Sequence, residues 1–415
     1  MKSLSIKSIA AIALVNIGLV YGADGNINGL RSPQCVEDLS RLQVDLLQHF
    51  NGIFGTFSAT KETEETEETS KASVYGPIAA LNINSTGYDY NTNLKSNCED
   101  YNGISRLGLM AKAAHVNGDV YGEIFNEEGS IIAANQKNEC GMNSIDRSVT
   151  KPDDLSSSLW SFAPSSIKKT SRKLASFESD TFINRNKGLV SKSDARSFHG
   201  YRILKLPACS DDICKPFDPN TEITTAILKS RHSSLNTPFQ NILPTEMIVF
   251  NVPVYVNHTF TITTLDVNKN ISPCQVIYNF YPVDASGAYD SNPSSTFTLV
   301  RAPDVKIAGT ILAPQANIID SPTGYFGGQL ITLQNYEGHG ADIKDFKSVS
   351  NGECSSRSIC WPINVTHVVV EVVKVSTSKT LVSTVTEITD KNGHFSTFGT
   401  VTVTDNIATV TATRK

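Results

Sequence analysis

Glu337 and His339 stand two residues apart across Gly338, close enough in sequence for a carboxylate to orient an imidazole or for both to ligate a metal. General acid–base chemistry needs such a pair, but it also needs a third partner, and no spacing in the chain fixes one. A glycine between them suggests instead a turn whose polar side chains tie down backbone groups. Asp284-Ala-Ser-Gly-Ala-Tyr-Asp290 is oxygen-rich like a calcium loop, yet it lacks the spacing and the terminal bidentate Glu of an EF-hand and reads as a surface turn. Asp119, Glu123, Asp304 and Asp320 are carboxylates that a polysaccharide-cleaving β-helix would have to gather within about 5–10 Å in a groove. No Gly-x-Ser-x-Gly, phosphate-loop or dinucleotide motif occurs in a credible setting. The cysteines lack zinc spacing, and the eight histidines are scattered singly. These residues give no catalytic, cofactor-binding or metal-binding set, so the expectation is a protein that is not an enzyme.

The elements that would position any such residues follow from composition and patterning. The chain has 415 residues, 40% hydrophobic, enough to bury a substantial core. A net charge of -5 leaves no electrostatic footprint for nucleic acid or an anionic membrane. Lys2 and Lys7 precede an apolar run from Ile9 to Val20 and then Gly22 and Ala23, the pattern of a secretory signal peptide over residues 1–22. The run is shorter than the roughly 20 residues a membrane span needs. All eight cysteines (Cys35, Cys98, Cys140, Cys209, Cys214, Cys274, Cys354 and Cys360) lie beyond it, which implies disulfides in an oxidising compartment. Only Cys209–Cys214 and Cys354–Cys360 are near enough in sequence to suggest local staples. Asn84, Asn257, Asn270 and Asn364 head Asn-x-Ser/Thr sequons and predict a glycosylated surface.

Along the chain, Val36, Leu39, Leu42, Leu46, Phe50 and Ile53 recur at three- and four-residue steps, which predicts an amphipathic N-terminal helix over 36–57. Residues 61–69 (KETEETEET) form a charged low-complexity loop, completing an N-terminal region of 23–73. From Val74 short β-rich pieces alternate with Gly and Asn, arguing for an all-β architecture over 74–346. A Ser-, Lys- and Asp-rich excursion at about 147–245 interrupts it, with a helix expected near 170–180. Residues 347–415 form a separate β or Thr/Ser-rich module, since 16 of the 38 residues from Ser376 to Thr413 are Ser or Thr. Asp390-Lys-Asn-Gly393 is a hairpin signal within it.

Three blocks resemble the choice-of-anchor A domain of secreted and cell-surface adhesins. The first is Val74–Asn91, with Gly76; the second is Leu107–Gly122, with Gly118 and Gly122. The third runs from Ala308 to Asn317 (Gly309, Thr310, Ala313, Pro314) and through Phe326-Gly-Gly328-Gln-Leu330 to Tyr336-Glu337-Gly-His339. The resemblance implies a right-handed parallel β-helix, or β-solenoid, on a protein thought to act in adhesion, without catalytic residues. Paired hydrophobics with Gly corners suit a solenoid independently, with Gly309, Gly324, Gly327 and Gly328 available for φ > 0 and Pro314 at a turn. The N-terminal helix would cap an exposed terminal coil. "AGTILAP" and "FGGQLIT" read as successive stacked strands, and Glu337 and His339 as closing the last turn.

The function this implies is a secreted, non-catalytic cell-surface or cell-wall adhesin that binds wall polysaccharide or the glycans or proteins of a neighbouring surface. It has no nucleic-acid partner, membrane span or cofactor. A carbohydrate-active β-helix enzyme is one alternative. An ice-binding β-helix is another, for which Thr261-Ile-Thr263, Thr296-Phe-Thr298 and Thr400–Thr404 are the Thr-rich signals, although they follow no regular coil period. The sequence ends at Lys415 without an apolar tail, so no GPI signal is expected.

Overall fold

A computed structural model describes residues 46–61, 71–95, 107–126, 132–137, 152–183, 188–191, 201–212, 226–229, 242 and 246–354, with short strands between 369 and 411. The signal peptide, the charged loop at 62–69, Asn364 and Cys35, Cys98, Cys140, Cys214 and Cys360 lie outside the described residues. The chain forms two compact units, residues 30–363 and a second made of 1–29 with 364–415.

The described residues of the larger unit begin with helical residues 46–49. Six strands of its first half follow: β1 (Gly52–Thr60), β2 (Ala72–Val74), β3 (Ile78–Thr86), β4 (Tyr88–Tyr90), β5 (Leu107–Tyr121) and β6 (Glu123–Asn126), then β7 (Ile132–Lys137). Helix α1 (Pro152–Ser176) leads to the hairpin β8 (Thr181–Ile183) and β9 (Leu189–Ser191), then to β10 (Tyr201–Lys205). The second half comprises β11 (Met247–Tyr255), β12 (Thr259–Ile262), β13 (Val276–Val283), β14 (Phe297–Arg301), β15 (Lys306–Leu312), β16 (Ala316–Ile319), β17 (Tyr325–Gly338) and β18 (Asp342–Lys344), closed by helix α2 (Phe346–Val349).

Apart from the β8–β9 hairpin, these strands pair in parallel, and the fold is a β-solenoid. Short strands cannot bury a face alone; stacked coil on coil, their inward residues make one continuous core. That core runs through Phe250, Tyr278, Ile311, Leu330 and Phe54 on one wall and Phe260, Leu299, Ile318, Tyr336 and Phe57 on another. The stretch 305–340 forms adjacent rungs as expected: Ala308 pairs Gly327, Gly309 pairs Gly328 and Leu312 pairs Ile331. Gly309 and Gly328 both hold left-handed φ (133° and 90°), and a Cβ on Gly328 would stand 2.2 Å from the Gly309 carbonyl oxygen. The bend can stack only because both positions are glycine. Gly327 is not such a corner; there the restriction is space, against Val349 and Ala308. Pro314 lies in the β15–β16 turn, where its carbonyl accepts from Leu333.

The coil order differs from the chain order. Along the first wall it reads β10-β11-β13-β15-β17-β1-β3-β5, so β1 is flanked by β17 on one side and β3 on the other. The chain enters the middle of the stack, builds outward to β6 and β7, crosses along α1 and then winds back from β10 to meet its own beginning. The junction is fastened by the Leu330 N–H donating to Asn51 O (2.8 Å) and by the Gln329 amide donating to Leu47 O (2.6 Å) and Phe50 O (2.9 Å). Glu337 and His339 therefore do not close a last turn; β17 is an interior strand.

Helix α1 covers the first wall from outside. Leu159, Phe162, Ala163, Ile167 and Leu174 recur on one face and pack on Met247, Val249, Ile277, Leu312 and Ile331. Polar contacts set its position: Asn279 donates to Ser171 O (2.9 Å) and Asn251 to Leu174 O (2.7 Å). The helix expected near 170–180 is thus longer and earlier, and ends before β8. Of the N-terminal helix expected over 36–57, residues 46–49 are helical, and 36–45 lie outside the described residues. Ile53 and Phe57, which fit its apolar periodicity, belong to β1, because pairing with β3 and β17 satisfies the backbone on both edges. The open edge of β10 is blunted by Asp180, whose N–H donates to Ile203 O (3.0 Å) while its carboxylate accepts from Ile203 N–H (2.6 Å).

His49 sits between the short helix and β1, its Nε2 3.1 Å from Leu107 O. Burial lowers its pKa from 6.5 to about 4, although the Leu107 contact opposes the shift. The folded state therefore binds fewer protons than the unfolded one below pH 6.5, and stability is lost as pH falls from 6.5 toward 4. Allowing for the partial exposure of the residue, the loss is about 2 kcal/mol. Unfolding free energies from urea titrations at pH 7 and pH 4.5 should differ by that amount in the native chain and markedly less in His49→Gln.

In the second unit, strands Val369–Val370, Thr386–Thr389 and Phe395–Thr397 form an antiparallel sheet, and Thr400–Thr404 pairs antiparallel with Ile407–Thr411. The strands at 386–389 and 395–397 flank the hairpin signal at 390–393.

Candidate functional site: an outward polar array

The second wall presents a regular outward surface. Burial alternates residue by residue in β12, β14, β16, the end of β17, β1, β3 and β5, so every second side chain faces out. Register then aligns two outward rows. One is Thr259, Thr298, Asn317, Asn335, Thr56, Asn82 and Ala113. The other is Thr261, Val300, Ile319, Glu337, Ser58, Asn84 and His115. Adjacent rungs are about 4.8 Å apart, so seven rungs span about 29 Å. Hydroxyls and amides dominate, groups that both donate and accept.

Beneath the array the core is rigid. Phe57 and Tyr336 stack with centroids 5.0 Å apart and planes 8° from parallel. The Tyr336 hydroxyl donates to Asp320 (2.6 Å), which pairs with Arg301 at 2.5 Å, both side chains fully buried. Arg301 also donates to the carbonyls of Val305 (2.7 Å), Thr323 (2.6 Å) and Ser321 (3.3 Å). Burial pulls the Asp320 pKa upward; Arg301, the Tyr336 hydroxyl and the Ser321 N–H pull the other way. At the array's upper edge Asp211 accepts from Thr261 N–H (2.8 Å) and Lys229 (2.9 Å), and burial acting against these bonds leaves its pKa below the ordinary carboxylate value.

The structure separates the residues that sequence alone offered for chemistry. Glu337 and His339 meet at 3.2 Å but are about half exposed, an open surface pair on one edge of the array. Asp320 is committed to Arg301, and Asp304 lies exposed in a left-handed turn (φ 63°). Asp119 is several coils away beside Asp89 and Lys71, on the rung that also leads to Glu123 in β6. The four carboxylates share no groove. Asp284 accepts from Ser286 N–H (2.8 Å) and Ala288 N–H (3.1 Å), the contacts of a turn. Among the described residues no group of three or more His, Cys, Asp or Glu side chains is placed to hold a metal ion.

The motif residues are scaffold. Thr310 and Ala313 are buried, Gly76 packs against Asn51, a Cβ on Gly118 would meet the Tyr88 carbonyl, and Gly122 has φ 104°. Cys274 bridges Cys354, 80 residues on, which excludes the local Cys354–Cys360 pairing; Cys209 is also disulfide-bonded. Asn257 and Asn270 occupy left-handed turns (φ 61° and 69°), whereas Asn84 lies in the second row of the array. The array itself was missed because its Thr signals lacked a period. Thr298 does belong to a row, but its partner is Thr259 rather than Thr261 or Thr263.

Residues 44–343 match a family described as an ice-binding-like adhesive domain. This overturns the resemblance to the choice-of-anchor A domain. No curated protein matches the chain in sequence. Among solved structures, the crystal structure of an ice binding protein from an Antarctic bacterium Flavobacteriaceae is similar at 7% identity and a TM-score of 0.31. The similarity covers 77% of this chain and 51% of that one, so the chain spans about half the length of that protein.

Proposed function

Because the chain belongs to the ice-binding-like adhesive domain family, which is adhesive rather than catalytic, we propose that it is a secreted surface adhesin whose outward array binds an ordered, hydroxyl-rich solid. A polysaccharide, such as that of a cell wall, is the ligand class the array suits best. The observation that carries this reading is the pair of rows running through seven rungs without interruption. Six of the seven rungs offer hydroxyl or amide groups, each worth about 1 kcal/mol per hydrogen bond, so useful affinity must come from engaging many rungs at once. A polymer with its own regular hydroxyl spacing does that.

Ice is the second reading, favoured by Thr259, Thr298 and Thr56 in one row and by the family's description. Against it, Val300, Ile319, Glu337 and His115 give the second row uneven height and a charge, which a polymer chain tolerates better than a crystal plane. The leader at 1–22 and the cysteine content support secretion.

The test is co-sedimentation of the purified chain with insoluble β-1,3-glucan and with chitin, beside a thermal-hysteresis measurement. Thr298→Arg places a long charge on the second rung of the first row and should weaken polysaccharide retention by about tenfold, the equivalent of about 1.4 kcal/mol. Its unfolding free energy in urea should stay within about 0.5 kcal/mol of wild type, since the site is partly exposed. Thermal hysteresis without polysaccharide retention would move the assignment to ice, and neither activity would sink both.

A further inference from the structure

Asn84 heads the sequon Asn84-Ser85-Thr86 and lies in β3, in the middle of a strand rather than in a turn. Its side chain points outward and is exposed, as is that of Thr86, and Asn84 makes no side-chain hydrogen bond among the described residues. Ser85 between them faces inward, where its hydroxyl accepts from Tyr90. In register, Asn84 has Ser58 on one neighbouring rung and His115 on the other. The other two described sequons differ: Asn257 and Asn270 sit at exposed turns, before β12 and before β13, rather than within a strand of the array.

We propose that Asn84 carries an N-linked glycan planted within the outward array, which covers the rungs of β1, β3 and β5 and leaves those of β12, β14, β16 and β17 as the free binding surface. The proposal rests on the secreted, adhesive reading above. In the transfer step the Asn84 Nδ2 forms a bond to the anomeric carbon of an oligosaccharide held on a polyisoprenyl pyrophosphate. The bond between that carbon and the pyrophosphate oxygen breaks, the lipid pyrophosphate leaves, and one amide proton passes to a base of the transferase. Nothing is oxidised or reduced. In the folded chain β3 is paired on both edges, so transfer must precede its pairing with β1 and β5. The outward, exposed position then lets the folded solenoid keep the glycan without disturbing the core.

The free surface would still hold four rungs, about 14 Å from first to last. Removing the glycan would restore three more and with them additional simultaneous contacts. The test uses the full chain secreted from a eukaryotic host, as wild type, Asn84→Gln and Thr86→Ala; the third variant removes the sequon while leaving Asn84 in place. Glycopeptide mass spectrometry should find Asn84 occupied in wild type and bare in both variants, with occupancy at Asn257 and Asn270 unchanged. Retention on insoluble β-1,3-glucan should rise by about tenfold in both variants, as expected when several linked contacts are regained. A bare Asn84 in the secreted wild type overturns the proposal. An occupied Asn84 with unchanged retention in both variants overturns the masking role. Failure of every form to bind glucan counts against the adhesive reading and masking together, while an occupied Asn84 still upholds the modification.

Discussion

Asp320→Ala is expected to destabilise the solenoid by about 3–5 kcal/mol, because it leaves the Arg301 guanidinium buried without its counter-charge. Both side chains are fully buried and 2.5 Å apart, so neither can recover hydration when the other is removed. The Tyr336 hydroxyl loses its acceptor at the same time, and Tyr336 stacks on Phe57 directly under the array. The effect should therefore reach function: polysaccharide retention should fall even where the variant remains folded. Urea denaturation followed by tryptophan fluorescence and by far-UV circular dichroism measures the first part.

The double variant Arg301→Met with Asp320→Leu separates charge from architecture. If the ion pair acted only through its charges, an apolar pair of similar volume would restore most of the loss. Arg301 also donates to the carbonyl of Val305 in the β14–β15 corner and to those of Thr323 and Ser321 in the β16–β17 corner, and so ties two stacked corners together. Methionine cannot donate to them; the Val305 carbonyl keeps the Tyr325 N–H (3.1 Å) and the Thr323 carbonyl keeps the Ser321 hydroxyl (2.9 Å), but the Ser321 carbonyl loses its donor, which costs about 1–3 kcal/mol. The double variant should thus recover only part of the stability. Full recovery would show that the corner carbonyls find other partners and that Arg301 is not their organiser.

How far the fold could be read from residues depended on whether the signal was local. The strand texture of 246–265 and 305–340 is local: alternation and Gly corners are visible in a dozen residues, and those segments are β11, β12, β15, β16 and β17. The coil order is not local. β1 joins β17 through pairs such as Ile53 with Ile331, and nothing near Ile53 indicates a partner 278 positions away. That is why Ile53 and Phe57 fit a helical period so readily. The first row of the array is hidden for the same reason. Its members Thr259, Thr298, Asn317 and Asn335 are separated by 39, 19 and 18 residues, and the row then jumps back to Thr56. Loops of unequal length between equal rungs erase any sequence period, while the three-dimensional spacing stays constant. The carboxylate constellations failed differently: Asp320 is conspicuous as a titratable residue, but its partner Arg301 lies one coil back, and only packing shows that the pair is internal.

Replacing both Cys274 and Cys354 by serine should cost about 4 kcal/mol, the chain-entropy value for a loop of this length. The bridge closes a segment of 80 residues that contains β13 through β18, including β17, the strand that joins the two halves of the stack. Cys274 belongs to the turn Pro273–Gln275 before β13, and Cys354 follows α2, whose Phe346 and Val349 pack against Gly328 and Gly327. The bridge thus ties the first rung of the segment to the element that seats its last bend. For a unit of this size the loss corresponds to a fall in Tm of about 6 °C. Serine variants are preferable to a reductant, because Cys209 is also disulfide-bonded and would be opened as well. A fall of less than about 2 °C would mean that the unfolded chain is already confined by other contacts and that the bridge adds little to the junction.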